Sequence, residues 1–318
     1  MQELEAIVVN IFSWLNQKLK PKEKYPVCAA VAITKGPDKV DLDSNYYMYP
    51  NKYFPYKEQL SILEEAHDHA RISDYLPNGY GFFAICDGMT NYRGSVYASH
   101  AVVTGLEEML KESLEDSSYR VSDVQALLEK INYKICKDAK ENASIEHMAC
   151  SMSGLWVTPD VIRTVQIGNS SVWRFLDGRL TCLTRKHLRG AKGMPYFTNN
   201  TAIPEKNPLY SYMGIHVEEG VLVVDIDEVM ELYEKEWFLL ANQQLLDLVE
   251  TKVLEEVLSL YYKENDLLTA VKEVINLAKK TSTDTKEVGD LICMIVSVGK
   301  EERERKINTN EEEVKGEE

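Results

Sequence analysis

The sequence has no CxxC pair, no excess of basic charge, no apolar run long enough to cross a bilayer and no internal repeat. Each absence excludes something. Its six cysteines, at positions 28, 86, 136, 150, 182 and 293, stand far apart, and most lie in apolar strand-like runs where a thiol packs as a small hydrophobe. A disulfide framework is not expected, and a reducing cytoplasm fits. A formal net charge of −15 over 318 residues repels nucleic acid and anionic lipid before any contact forms. The stretch "AIVVNIFSWL" at 6–15 follows Glu3 and Glu5 rather than a basic region, so it does not read as a signal sequence, and it is too short for a transmembrane segment. Leu4, Ile7, Val8, Ile11 and Leu15 recur at helical spacing instead. Residues 1–26 are therefore read as an amphipathic helix and linker, packed on its own domain or docked on a partner.

What is present is a long alternation of apolar runs and turn residues. "VCAAVAIT" at 27–34 and "NYYMY" at 45–49 read as strands separated by the turn "KGPDK". The stretch "EQLSILEEAHDHARI" reads as a short helix, on which His67 and His69 would point to different faces and could not share one ion. "GFFAICDG" reads as a strand ending in Asp87-Gly88, followed by helices over 95–115 and 122–141, the second with an N-cap signal at Val121-Ser122-Asp123. "SMSGLWV", "VIRTVQI", "SVWRFL" and "RLTCLT" then read as a four-strand antiparallel meander. Strands "GVLVVDI" and "EWFLLAN", helical segments 243–262 and 266–280, and a closing strand at 290–298 complete the pattern. Residues 300–318, "KEERERKINTNEEEVKGEE", carry almost no apolar content and are read as a charged, disordered tail. Paired helices between runs of antiparallel strands argue for an α+β sandwich.

Three polar positions stand at the ends of apolar strands: Asp87 after "FFAIC", Asn242-Gln243 after "WFLLA", and Asp290 before "LICMIV". Carboxylates at separate strand ends can converge on one hard cation. In this order, and with "MACSMSGLWV", "VQIGNSSVWRFLDGRLTCLTRKH", "YSYMG" and "LDSNYYM" around them, they make the chain resemble the PPM or PP2C type of metal-dependent protein phosphatase over about residues 27–298. That resemblance implies one PP2C-like domain over 27–299, a four-layer αββα sandwich of two antiparallel sheets flanked by helix pairs. It also implies a Mn²⁺ or Mg²⁺ site, with Asp87 bridging two ions, the Gly88 carbonyl on one, Asp290 on the other, and a metal-activated water attacking phosphoserine or phosphothreonine.

The resemblance fails in places that matter. Gln243 and Gln244 replace the Asp-Gly of the family's Ser-Asp-Gly, so a neutral amide stands where a third carboxylate ligand is expected. Thr90 and Asn91 replace two glycines, and Asn169 replaces a turn Asp. Asp43 stands for a Glu that reaches a metal through water, its following Asp is Ser44, and Lys39 stands for a phosphate-binding Arg without the bidentate fork. The expectation is a degenerate site that holds ions weakly or holds one only. It suits a pseudophosphatase serving as a binding or regulatory module for a phosphorylated or unphosphorylated protein. The alternative is a weak or active Mn/Mg-dependent serine/threonine phosphatase.

Overall fold

A computed structural model describes residues 27–36, 42–49, 52–53, 68–73, 80–89, 94–110, 120–142, 147–158, 161–188, 209–229, 235–282 and 289–299. The N-terminal helix read over 1–26, the tail from 300 and Lys39 lie outside the described residues. Strands β1 (Val27–Thr34), β2 (Asn45–Met48), β3 (Lys52–Tyr53), β4 (Asp68–Ile72) and β5 (Gly81–Gly88) lead into helices α1 (Ser95–Leu110) and α2 (Val121–Glu141). Then come β6 (Cys150–Val157), β7 (Ile162–Ile167), β8 (Ser171–Leu176), β9 (Arg179–Cys182), β10 (Asp225–Val229) and β11 (Lys235–Ala241). Helices α3 (Gln243–Leu248), α4 (Thr251–Tyr262) and α5 (Leu267–Ser282) precede β12 (Leu291–Gly299).

Among the described residues the strands form two six-stranded sheets, β4-β1-β12-β11-β8-β9 and β10-β7-β6-β5-β2-β3, with antiparallel neighbours throughout. Alternation along each strand sends side chains to opposite faces, which builds three apolar layers from one sequence pattern. In β5, Phe82, Ala84 and Cys86 meet α1 and α2, while Phe83 and Ile85 face the other sheet. In β11, Trp237, Leu239 and Ala241 meet α3, α4 and α5, while Phe238 and Leu240 face inward. The αββα sandwich expected from the resemblance is the architecture observed. Each fully buried Phe, Ile or Met of the inner layer stabilises it by roughly 2–3 kcal/mol.

Several sequence readings are corrected. The meander over 150–182 is two hairpins in different sheets, β6-β7 in one and β8-β9 in the other. The chain crosses between sheets at Gly168, which has a φ of +92° and whose added Cβ would come within 2.5 Å of the Ser151 Cβ. A sheet crossing and a hairpin both need turn residues, so periodicity cannot tell them apart. Likewise β1 and β2 lie in different sheets.

The helix read around "HDHARI" is, over Asp68–Ile72, an edge strand paired with β1, with His69 opposite Ile33 in register. Ser73 anchors its end, the Ala29 N–H donating to Ser73 Oγ at 2.8 Å. An edge strand tolerates the charges that suggested a solvated helix. The strand read at 220–226 begins only at Asp225, because Ser211 Oγ accepts from the Val223 N–H at 2.8 Å and donates to the Val223 carbonyl at 3.0 Å. A side chain there satisfies backbone groups that a neighbouring strand would otherwise take. The segment 243–262 breaks at Val249 and Glu250, both extended. The cap of α2 is Arg120, whose N–H donates to Asp123 at 2.8 Å, and not the predicted Val121-Ser122-Asp123 start. Among the described residues no helix is long and apolar enough to cross a membrane.

Candidate metal centre

Strand parity brings the site together. Asp87 shares the inward face of β5 with Phe83 and Ile85, but it stands at the strand's end, so it reaches the mouth of the sandwich and not its core. Directly opposite in register is Ser151 of β6, whose Oγ lies 2.7 Å from Ser170 Oγ. By the same parity Ser44, two residues before the inward Tyr46, Asn242, two after the inward Leu240, and Asp290, two before the inward Ile292, face the same mouth. The fold thus gathers the strand-end residues that the sequence singled out.

Their hydrogen bonds differ from the expectation. Asp290 is buried, with 3% of its surface exposed. Its Oδ1 accepts the Gly36 N–H at 3.1 Å, and its Oδ2 accepts the Ser44 N–H at 2.8 Å and the Asp43 N–H as well. Asp87 is half-buried, and its Oδ1 accepts from Ser44 Oγ at 2.6 Å and from Asn242 Nδ2 at 3.0 Å. Asn242 Nδ2 also donates to the Asp290 backbone carbonyl at 2.7 Å, and its Oδ1 accepts from Leu245 N at 3.3 Å as the N-cap of α3. Asp87 and Asp290 are therefore joined through Ser44 and Asn242.

The other predicted residues are less central. Gln243 opens α3, half-buried, its Nε2 donating to the Asp247 carboxylate one turn later, and its buried Oε1 has no hydrogen-bond partner among the described residues. Gly88 is a close-approach residue: a Cβ there would lie 2.7 Å from the Asp43 carbonyl oxygen and 2.9 Å from the Ser95 Cβ. Asp43 donates through its backbone to Asp290. Sequence reasoning treated Ser44 as drift and Asn242 as a neighbour of the ligand position, and it missed that these two make the connections. The available signal was Asn242 itself, a preferred N-cap before "QQLLDL".

Nearby groups add no nucleophile. Burial, and then the Asp87 carboxylate, push the Cys86 thiol far above its ordinary value, and burial, Cys86 and Asp87 do the same to Cys150. Both stay protonated near neutrality. Behind the mouth, the fully buried His187 takes the Gly168 N–H on Nδ1 at 3.3 Å, places Nε2 3.3 Å from Asp225 Oδ2, and stacks on Tyr210 at 5.0 Å. It braces the crossing turn. The His187 hydrogen bond holds the Asp225 carboxyl below its usual range, outweighing the burial that raises it. A carboxyl depressed in the folded state contributes stability that is complete above its unfolded value of about 4 and is lost as pH falls through the folded value. Asp225→Asn should therefore destabilise the protein at pH 7 and cost less at pH 3, as read from urea midpoints at the two pH values.

Among the described residues no group of three or more His, Cys, Asp or Glu side chains is placed to hold a metal ion. Asp87 Oδ1 and Asp290 Oδ2 each already accept two hydrogen bonds, which is the capacity of a carboxylate oxygen's two lone pairs. Gln243, the third ligand position by resemblance, is a neutral amide turned toward Asp247. The residues present do not fit a pair of divalent cations.

The sequence profile described as Protein phosphatase 2C matches residues 66–225. No curated protein matches the chain in sequence. Among solved structures, the serine/threonine phosphatase of S. agalactiae aligns with a TM-score of 0.62 at 16% identity, covering 85% of this chain and 98% of that one. The catalytic domain of the serine/threonine protein phosphatase PstP, in complex with two manganese ions, aligns at 0.60 and 16% identity over 86% of this chain and 100% of that one. PppA, a key regulatory component of T6SS in Pseudomonas aeruginosa, aligns at 0.53 and 18% identity over 68% of this chain and 85% of that one. At such identities the likeness concerns the fold.

Proposed function

Because this chain belongs to the Protein phosphatase 2C family, we propose that it is a non-catalytic member, a binding or regulatory module that keeps the phosphatase sandwich without its two-ion chemistry. One observation carries the reading. The Asp290 carboxylate, a metal ligand by resemblance, accepts three backbone N–H groups from Gly36, Asp43 and Ser44. Hydrolysis by metal-activated water needs several carboxylates free to hold cations, lower the water's pKa and offset charge on the transferring phosphoryl group. Here Asp290 serves the backbone of Gly36, Asp43 and Ser44, and Gln243 brings no charge. The manganese pair of PstP is a property of that protein. The regulatory role of PppA, on the same fold, supports a module whose business is a protein partner, phosphorylated or not. The described cysteines form no disulfide with one another, which suits a cytoplasmic setting.

Hydrolysis of a small aryl phosphate and of a phosphopeptide across a Mn²⁺ titration tests the reading, with Asp87→Asn as the control. The expected result is no chelator-sensitive turnover above the control. Turnover that rises with Mn²⁺ and vanishes in Asp87→Asn would establish a weak phosphatase instead.

A further inference from the structure

We infer that Ser44 and Asn242 together stand in for a cation at the mouth of the sandwich, so that this end of the fold is latched by neutral donors and is independent of metal. The inference rests partly on the non-catalytic reading, since a working two-ion site would exclude it. Two carboxylates approaching one another need positive charge or hydrogen-bond donors between them. Ser44 supplies two, its hydroxyl to Asp87 at 2.6 Å and its backbone N–H to Asp290 at 2.8 Å. Asn242 supplies two more from one nitrogen, to Asp87 at 3.0 Å and to the Asp290 carbonyl at 2.7 Å.

Both bridging residues are almost fully buried, at 0% and 1% exposure, so their bonds are made in a setting where dipoles act with little screening from water. Asn242 is itself fixed on its other side, its Oδ1 accepting from Leu245 N at 3.3 Å and Ile292 N at 3.4 Å. The latch thus ties β5, the segment before β2, the β11-α3 junction and the segment before β12 into one unit. A cation entering at Asp87 Oδ1 would have to displace the Ser44 hydroxyl or the Asn242 amide.

The test uses the full chain and reads metal and stability, not turnover. Free Mn²⁺, followed by its EPR signal, should be taken up equally by wild type and Asp87→Asn, because only surface acids bind it. The wild-type thermal midpoint should stay within about 1 °C between EDTA and millimolar Mn²⁺, the shift produced by a stability change of under ~0.5 kcal/mol. Asn242→Asp removes the donor and sets three acids together. Its midpoint in EDTA should fall by about 5 °C or more, a change of the size expected for burying an uncompensated charge, and Mn²⁺ should recover part of it. An Asn242→Asp protein as stable as wild type in EDTA would overturn the latch. So would a wild-type Mn²⁺ site that Asp87→Asn loses, and this measurement stands even if Asn242→Asp does not fold. Such a site without turnover would overturn the latch and leave the non-catalytic reading intact, whereas a site with Asp87-dependent hydrolysis would overturn both.

Discussion

Asp290→Ala is expected to destabilise the protein by about 3 kcal/mol or more, because three backbone N–H groups lose their acceptor inside a buried site and each unsatisfied donor costs about 1–3 kcal/mol. Those donors belong to Gly36, Asp43 and Ser44, between β1 and β2, so the backbone at these three residues should loosen first. Asp290→Asn keeps one acceptor but turns an NH₂ group toward N–H donors. It should recover less than half of the loss. Equilibrium urea unfolding gives the magnitude, and hydrogen exchange at Asp43 and Ser44 gives the location. A loss under about 1 kcal/mol for the alanine variant, within the range of an ordinary surface change, would show that these bonds do not hold Gly36, Asp43 and Ser44 in place.

Glu236→Ala should be costlier still, about 3–5 kcal/mol, since it strips a buried carboxylate partner from a largely desolvated guanidinium. Glu236 is 1% exposed and accepts from Arg174 at 2.6 Å, with the Arg174 side chain 15% exposed. Strand parity sets both on the face that carries Phe238 and Val172, at the end of the sandwich remote from Ala241 and Ser171. Removing one partner leaves a charge in the inner layer with poor access to water. Removing both, as Glu236→Leu with Arg174→Met, deletes the desolvation cost along with the attraction and should return most of the stability. The double-mutant cycle in urea gives the coupling directly. A single alanine variant within about 1 kcal/mol of wild type would mean that water reaches the pair.

Much of this molecule is written in its alternation. The inward and outward residues of "FFAICDG", "WFLLAN" and "LICMIV" fix which side chains face the other sheet, and the same parity carries Asp87, Asn242 and Asp290 to a common face. Family resemblance supplied the sandwich and the order of the motifs. Partner choice among strands was not legible. Gly168-Asn169-Ser170 reads locally as a hairpin turn, and only the closing of β8 on β11 made it a crossing between sheets. Nor was the fate of "DHARI", where an edge beside β1 outcompeted a helical preference.

The sequence by itself determined that Gln243 brings no charge where the resemblance sets a carboxylate, because the identity of a side chain and its charge are local properties. What the remaining acids do was decided by tertiary structure alone. Whether Asp290 faces an ion or three amide protons depends on where Gly36, Asp43 and Ser44 lie, and Asp290 is separated from Gly36 by 254 positions in the chain. Ser44 and Asn242 likewise take their meaning from each other across the mouth of the sandwich, since a hydrogen bond is a matter of approach in space and spacing along the chain does not encode it.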